Sequence, residues 1–191
     1  MRAIFLMTLV LLIPQLSGCT TAVVGSAATG AAAVHDRRTV PTMLEDQAIE
    51  LKALKLLMDH PEISKRSNIS ITSYNLKVLL TGEADTQEIS DRFAELVSNI
   101  QRVERVHNEV LVSPSGTLLD QTNDAYLTAK VKLELLKIDT KGFDPTRVKV
   151  VTSQGTVFLM GIISEEESRQ VVEKVRFVTG VKRVVKVFEY Y

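Results

Sequence analysis

An internal repeat constrains the fold of this chain more than any other feature of its sequence. Residues 74–112 align with residues 153–190, and an amphipathic run at 45–58 corresponds to a second run at 124–136. Both copies place Val, Leu and Gly at alternate positions, first at Val78, Leu80 and Gly82 and again at Val157, Leu159 and Gly161. A solenoid needs at least three repeats to bury a continuous core, so a unit that occurs twice predicts two similar small domains.

Copy one predicts the element order helix, strand, strand, helix, strand. Apolar residues recur at helical spacing at Leu44, Ala48, Leu51, Leu54 and Met58, and His60-Pro61 ends this run. Ile69 and Ile71 alternate with polar residues, which predicts a half-buried strand, followed by a turn at Tyr74-Asn75 and a second strand at 77–83. The second helix has the predicted face Phe93, Leu96, Val97 and Ile100, and the last strand is predicted at 106–112.

Copy two repeats this order and adds clearer helix signals. Ser164 and Glu167 have the spacing of a capping box. Gly180 is predicted to be a left-handed helix cap, a position that Arg102 occupies in copy one. The predicted buried face of the second helix is Val171, Val172, Val175 and Val178. Gly82 and Gly161 are predicted to permit close packing of helix on sheet. The predicted fold class is therefore α+β, with two tandem αββαβ domains, each a small mixed sheet with two helices packed on it.

The leader differs from the rest of the chain, because no charged residue follows Arg2 until Asp36. Residues 3–13 form an apolar run of signal-peptide length. The next residues, Leu16-Ser17-Gly18-Cys19, resemble the bacterial lipobox. In this interpretation residues 1–18 are a lipoprotein signal peptide, Cys19 carries the acyl chains, palmitate among them, and residues 19–45 form a lipidated flexible tether. The resemblance implies the outer membrane, because Thr20 follows the cysteine where an Asp would signal inner-membrane retention.

Two other interpretations of the leader remain open. Cys19 could be a chance cysteine in a plain secretory signal. Alternatively, residues 3–34 could form one membrane helix, which would then have to contain Pro14, Gln15 and several Gly, Ser and Thr residues. No basic neighbour favours the thiolate of Cys19, so a catalytic nucleophile is not predicted.

The αββαβ unit, with VxLxG before its second helix and GVxxV after it, resembles the BON domain, a small lipid-associated module of bacterial envelope proteins. The resemblance covers residues 46–113 and 124–191, with residues 114–123 as a linker. Together with the lipobox, this layout is similar to the dual-BON outer-membrane lipoproteins. That similarity implies a lipid-anchored protein on the periplasmic face of the outer membrane, with a role in membrane integrity and enrichment at cell division sites.

The charge balance differs between the two copies. The whole chain has a net charge of zero, so it lacks the basic excess expected of a nucleic-acid-binding protein. Residues 46–113 contain eight Lys and Arg against eleven Asp and Glu, whereas residues 116–191 contain twelve against ten. Copy two is therefore predicted to meet an anionic surface, such as phosphatidylglycerol or cardiolipin headgroups, where each basic group is worth about 1 kcal/mol. A second basic group is Lys182, Arg183 and Lys186.

The first helix of copy two carries the candidate phospholipid-binding residues. Leu127, Val131 and Leu135 recur every four residues and are predicted to cover the sheet. The neighbouring stripe combines an aromatic residue, two leucines and two lysines, which is typical of a helix that lies in a membrane interface. Its members are Tyr126, Lys130, Leu133, Leu136 and Lys137. In the alternative, which the sequence leaves open, Tyr126 and Leu136 pack against copy one or its linker.

The sequence predicts a binding protein and no enzyme. It contains no GxSxG elbow, no GxxxxGK[ST] phosphate loop and no GxGxxG fingerprint. His35, His60 and His107 are scattered and the chain has one cysteine, so neither a metal site nor a cofactor is predicted. The leading hypothesis is a lipid-anchored periplasmic protein that recognises anionic phospholipid through copy two. The alternative is a protein-interaction scaffold that docks on an envelope assembly machine.

Overall fold

The computed structural model describes residues 36–113 and 118–191, with side chains from residue 123 onward in the second range. Copy one contains α1 (Val40–Asp59), α2 (Pro61–Ser64), β1 (Ser67–Tyr74), β2 (Lys77–Ala84), α3 (Gln87–Ser98), β3 (Arg105–Asn108) and β4 (Leu111–Val112). Copy two contains α4 (Leu118–Leu135), a 3-10 turn (Pro145–Arg147), β5 (Lys149–Ser153), β6 (Thr156–Ile163), α5 (Glu165–Val175) and β7 (Arg183–Tyr190). The predicted αββαβ order is confirmed in both copies, with α2 and the 3-10 turn as additions. The last strand of copy one, predicted as one strand at 106–112, is divided into β3 and β4.

The boundaries of the first helices differ from the sequence pattern. Helix α1 begins at Val40 because Thr39 caps it, the Thr39 hydroxyl oxygen accepting a hydrogen bond from the Thr42 N–H at 3.3 Å. It ends before His60, since a residue that precedes proline disfavours helical backbone. Helix α1 thus starts inside the segment 19–45 assigned to the tether. Helix α4 starts at Leu118, inside the segment 114–123 assigned to the linker.

The face of α1 that packs on the sheet is not the one that the apolar spacing marked. Ile49 and Ala53 are fully buried, whereas four members of the marked stripe expose 45–68% of their surface. These four are Leu44, Leu51, Leu54 and Met58. Apolar residues lie on two sides of this helix, and the periodicity predicted the helix without telling its inner side from its outer side.

Each copy has a mixed sheet around one central strand. Strand β2 pairs antiparallel with β1 and parallel with β3 and β4. Strand β6 pairs antiparallel with β5 and parallel with β7. Alternate residues of these central strands, such as Val78 and Leu80 in β2, face the helices and are fully buried. Their counterparts in β6 are Val157 and Leu159, also fully buried. The helix side of each sheet is thus an independent core.

The other face of each sheet packs against the other copy. A third buried cluster joins Tyr74 and Leu79 of copy one to Phe158, Met160 and Val187 of copy two. The two central strands are therefore buried on both faces, which explains the uninterrupted apolar run of β6. Fully burying a side chain of this size contributes about 1.5–3 kcal/mol. The two copies consequently belong to one compact unit.

Ion pairs and hydrogen bonds between the copies surround this apolar layer. Lys149 lies 3.4 Å from Glu50, and Arg183 lies 3.2 Å from Glu109. The Asn75 side-chain amide donates to Glu189 at 2.9 Å. Partly exposed pairs of this kind contribute about 0–1 kcal/mol each, so the apolar layer supplies most of the stability and the pairs fix the orientation.

A carboxylate in the second turn of each first helix, buried at Asp46 and partly buried at Asp124, caps the central hairpin. Asp46 accepts hydrogen bonds from the Asn75 and Leu76 N–H groups, both at 2.8 Å. Asp124 accepts from the Gln154 and Gly155 N–H groups at 2.6 and 2.9 Å. Because the two aspartates have the same role, they align α1 with α4 at an offset of 78 residues, from 46 to 124.

The segment just before α1 binds both copies. Arg38 lies 3.8 Å above the Tyr74 ring and forms an ion pair with Asp46 at 2.9 Å. Arg37 donates to the Ile162 carbonyl at 2.7 Å and to Glu167 at 3.0 and 3.1 Å. Burial raises the pKa of Glu167, but the hydrogen bonds from Arg37 and the Ser164 N–H outweigh it and hold that pKa below its usual value. The chain therefore enters the body at the junction of the two copies.

The glycines of the central strands have a different role from the predicted one. A Cβ atom at Gly82 would lie 2.0 Å from the Asn68 carbonyl oxygen on β1, and one at Gly161 would lie 2.5 Å from the Arg147 carbonyl oxygen. The close approach is thus between backbones, and the prediction of helix packing on these glycines was wrong. The capping box of Ser164 and Glu167 is confirmed.

Gly180 and Arg102 share a left-handed backbone, with φ of 104° and 77°. Neither caps a helix, because α5 ends with Arg176 as its cap and α3 ends with Asn99. Both residues lie in the turn that leads into the parallel strand. Copy one therefore keeps the same helix exit with an arginine in a conformation that favours glycine.

We expect Arg102→Gly to raise the free energy of unfolding by about 1 kcal/mol, because it removes the strain of a left-handed non-glycine residue. Gly180→Ala is the matched reverse change. Its Cβ would lie 3.5 Å from Leu127, an ordinary contact, so it should lower stability by about 1 kcal/mol through the backbone alone. Urea unfolding of both variants tests this, and a destabilised Arg102→Gly protein would contradict it.

Candidate functional site

Helix α4 presents the candidate lipid-binding residues to solvent. Leu127, Val131 and Leu135 are buried against the sheet, as predicted. On the neighbouring stripe, Tyr126 is 65% exposed, and Leu133 and Leu136 are 58% and 66% exposed. This exposure argues against the alternative in which Tyr126 and Leu136 pack against copy one or its linker. Leu136 and Lys137 lie in the turn directly after α4, which continues the stripe.

Lys130 connects this stripe to the segment after α5. Its Nζ atom donates a hydrogen bond to the Thr179 carbonyl at 2.8 Å and lies 5.5 Å from the centre of the Tyr126 ring. The ammonium thus holds the loop beside the aromatic ring. Its remaining N–H donors are available to an oxygen ligand, because an ammonium has three donors.

Phe177 extends the surface and was missed by sequence reasoning. It is 71% exposed, and the Arg176 guanidinium lies 4.6 Å from its ring centre. It precedes Val178, which is buried, and it falls outside the helical face of Val171 and Val175. The sequence signal that could have identified Phe177 is a large aromatic residue that lies off the buried face and next to an arginine.

An open groove of about 1050 Å³ lies between α4 and α5. Its walls combine apolar residues, including Phe177 and Ile138, with charged side chains of both signs, the acidic ones being Glu134, Asp139 and Glu173. The lysines that line it are Lys130, Lys137, Lys174 and Lys186. Of the predicted stripe, Lys130 and Lys137 line this groove together with Phe177, Lys174 and Lys186, whereas Tyr126, Leu133 and Leu136 lie outside its lining.

The second basic group predicted from sequence does not form one patch. Lys186 lines the groove, whereas Arg183 pairs with Glu109 of copy one at 3.2 Å. The aliphatic part of Lys182 lies against Gly155. Alternation along the strand separates these side chains, so only Lys186 adds to the surface on α4.

The BON domain profile matches residues 45–114 and 123–190 of this chain. The chain belongs to the BON domain family. Copy one is its first BON domain and copy two is its second.

Three relatives match most of this chain at moderate identity. The outer membrane lipoprotein DolP of Haemophilus influenzae is 31% identical over 175 residues, which cover 92% of this chain and 90% of the relative. The 21 kDa hemolysin of Actinobacillus pleuropneumoniae is 30% identical over 155 residues, covering 81% of this chain and 79% of the relative. Osmotically-inducible protein Y of Escherichia coli is 28% identical over 149 residues, covering 76% and 72%. The chain is thus a dual-BON, DolP-type lipoprotein with a lipid-anchored location at the outer membrane.

The electrostatics of the second BON domain include an internal counter-charge. Glu134 pairs with Lys137 and lies 3.9 Å from Lys174. The hydrogen bond from Lys137 holds the pKa of Glu134 below its usual value, so this carboxylate stays ionised at neutral pH. Glu134 therefore offsets part of the positive charge at the groove.

The first BON domain has no equivalent of this surface. At the 78-residue offset, Ala48 takes the place of Tyr126, and Asp59 takes the place of Lys137. The fold is shared, but the aromatic residue and one of the basic residues are present in the second BON domain only.

Within the described ranges, no group of three or more His, Cys, Asp or Glu side chains could hold a metal ion. No helix in the described part of the chain is both long and apolar enough to cross a membrane. Cys19 and the signal peptide assigned to residues 1–18 lie outside the described residues. The prediction for Cys19 therefore stays a prediction.

Proposed function

We propose that this lipoprotein recognises anionic phospholipid, such as phosphatidylglycerol or cardiolipin, through its second BON domain and thereby supports outer-membrane integrity, including at division sites. The observation that carries this proposal is the exposed surface formed by Tyr126, Leu133 and Leu136 on and after α4, together with Phe177. Four large apolar side chains beside lysines suit a membrane interface better than water.

The placement of charges supports this function. The Tyr126 ring lies 5.5 Å from the Lys130 ammonium, which also bonds the Thr179 carbonyl, and Phe177 lines the same groove as Lys130. Tyrosine and lysine are both favoured at the level of the headgroups, where a ring inserts and an ammonium meets phosphate. Lys174 and Lys186 line the adjacent groove and would attract a second anionic headgroup.

The energies favour a division of roles between anchor and surface. Each basic group near an anionic membrane contributes about 1 kcal/mol, and partial insertion of Tyr126, Leu136 and Phe177 adds a similar amount for each side chain. Acyl chains on Cys19 would contribute about 0.8 kcal/mol per buried CH₂ and hold the protein at the membrane in any case. The anchor thus sets location, and α4 selects among lipids within reach.

We expect Tyr126→Glu and Leu136→Glu each to lower vesicle affinity at least about tenfold, because a carboxylate replaces an inserting side chain and is repelled by anionic headgroups. The measurement is flotation of the chain from Thr20 onward with phosphatidylcholine vesicles, with and without cardiolipin. Leu111→Glu is the control, since Leu111 is 41% exposed on β4 of the other domain. Unchanged binding by both α4 variants, with binding to an envelope protein in its place, would favour the scaffold hypothesis and contradict the proposal.

Glu134→Gln should raise affinity for cardiolipin vesicles about fivefold, because it frees Lys137 and Lys174 from their counter-charge and one charge is worth about 1 kcal/mol there. The gain should fade at high salt, where exposed charges are screened. Glu88→Gln makes the same charge change on α3 of the first BON domain and should have no effect. Equal gains for both variants would mean that only net charge matters.

Cys19→Ser should block acylation and leave a precursor that retains residues 1–18. The physical reason is that only a thiol can form the thioether to diacylglycerol. Mass spectrometry of the mature N-terminal peptide measures this directly. An unmodified thiol at Cys19 in the parent protein, or a mature chain that starts elsewhere, would refute the assignment.

A further inference from the structure

The outer face of α1 carries an apolar stripe that no described residue covers. Val40, Leu44, Leu51, Leu54 and Met58 each expose between 45% and 68% of their surface. The opposite face of the helix, with Ile49 and Ala53, is fully buried in the first BON domain. Soluble monomers seldom leave contiguous apolar surface of this length in water, so the stripe needs an occupant.

The spacing of the stripe is that of a coiled-coil seam. Leu44, Leu51 and Met58 recur at intervals of seven residues and take the heptad position a. Val40, Gln47 and Leu54 recur at the same interval and take the position d. A strict a and d pattern is narrower than the apolar face by which a helix packs on a sheet, and it matches the surface of a second helix.

The charges on α1 argue against an anionic membrane as the occupant. The exposed and half-buried charged residues of α1 are Glu45, Glu50, Lys52, Lys55 and Asp59, so acidic groups are in excess. The first BON domain as a whole is also acidic, with eight Lys and Arg against eleven Asp and Glu over residues 46–113. The surface on α4, by contrast, has lysines beside its apolar residues. An anionic headgroup therefore gains little at α1.

We propose that α1 is the dimer interface of this protein and that its occupant is α1 of a second copy, in parallel orientation. In a parallel pair, position g of one helix faces position e of the partner five residues further on. Glu50 takes position g and Lys55 takes position e, so the two-fold axis brings Lys55 of each copy near Glu50 of the other. Within its own copy, Glu50 uses Oε1 for the Ser73 N–H and Lys149, and the pair with Lys55 would use Oε2. Gln47 is the one polar residue at a seam position, and a single polar residue there specifies register.

The anchor favours this orientation and a modest interface. Helix α1 begins at Val40, within the segment 19–45 assigned to the tether, so a parallel pair places the membrane-anchored ends of both chains at one end of the dimer. Two copies held in the same membrane have a high effective concentration, and a seam of five turns then suffices for association. This inference concerns the first BON domain and does not rest on lipid binding by the second.

Single-cysteine variants of the full acylated chain, reconstituted in phosphatidylcholine vesicles, test the proposal. Leu44→Cys, Leu51→Cys and Met58→Cys are oxidised with copper phenanthroline, beside the parent chain and Lys52→Cys as controls. Lys52 is solvent-facing on the same helix and lies outside the seam. In a parallel pair each a residue faces the same residue of the second copy. All three variants should therefore form disulfide-linked dimers several-fold faster than Lys52→Cys.

An antiparallel pair would cross-link at one of the three sites only, and that result would overturn the proposed orientation. Rates equal to the Lys52→Cys rate at all three sites would overturn the interface itself. If native outer membranes yield a disulfide with a protein of different mass and no homodimer, the occupant is another protein and the proposal is wrong.

A charge change distinguishes a specific pairing of the two α1 helices from non-specific contact between them. Lys55→Glu places a carboxylate opposite Glu50 of the second copy and should slow cross-linking of Leu51→Cys several-fold. Lys52→Glu makes the same charge change away from the seam and should leave the rate unchanged. Each change removes one exposed ion pair, Lys55 with Asp59 or Lys52 with Glu45, so the two variants are matched in intramolecular cost. An equal response to both would overturn the pairing of Glu50 with Lys55.

Discussion

The packing of one sheet against the other is the interaction on which the rest of the structure depends. Strands β2 and β6 alternate residues between a helix-side core and the shared layer of Tyr74, Leu79, Phe158, Met160 and Val187. A small domain with a single helix-covered sheet would leave the second sheet face in water. In this protein each copy covers the second sheet face of the other. The repeat therefore buries an apolar sheet face that a single copy would expose to water.

This packing determines which surfaces remain for function. The inner sheet faces are occupied by each other, so both pairs of helices lie on the outer sides of the paired sheets. Exposed apolar residues on α1 and α4 therefore cannot be explained as contacts between the copies. The polar pairs at the rim and the bonds of Arg37 to Glu167 and the Ile162 carbonyl then tie the tether to this unit.

Much of the fold was predictable because it rests on local periodicity. The alternation in β1 and the capping box before α5 depend on neighbours in sequence, and both are confirmed. The inner side of α1 was not predictable, because leucines lie on two sides of the helix and only tertiary contact selects Ile49 and Ala53. The packing of the sheets left a readable signal, since Val157, Phe158, Leu159 and Met160 form an unbroken apolar run and a strand covered on one face would alternate.

The candidate site was predictable to a similar degree and for the same reason. Spacing on α4 separates Leu127, Val131 and Leu135 from the exposed stripe, so those residues could be assigned by face. Phe177 and Lys186 join the site from elements far along the chain, and only the packing of α5 and β7 against α4 brings them there. Glu134 pairs with Lys137 three residues on, but its approach to Lys174 of α5 depends on the same packing.

The two copies differ where their surfaces face outward and agree where they face inward. Asp46 and Asp124 cap equivalent hairpins, and Arg102 keeps the backbone of Gly180 despite its strain, so internal geometry has been retained. On the outer helix faces, Tyr126 and Lys137 of copy two correspond to Ala48 and Asp59 of copy one. In the roles proposed above, one helix meets a charged lipid surface and the other an apolar helical partner. Because the shared layer joins them in one unit whose tether enters at the junction, a contact made by either helix also constrains how the other meets the membrane.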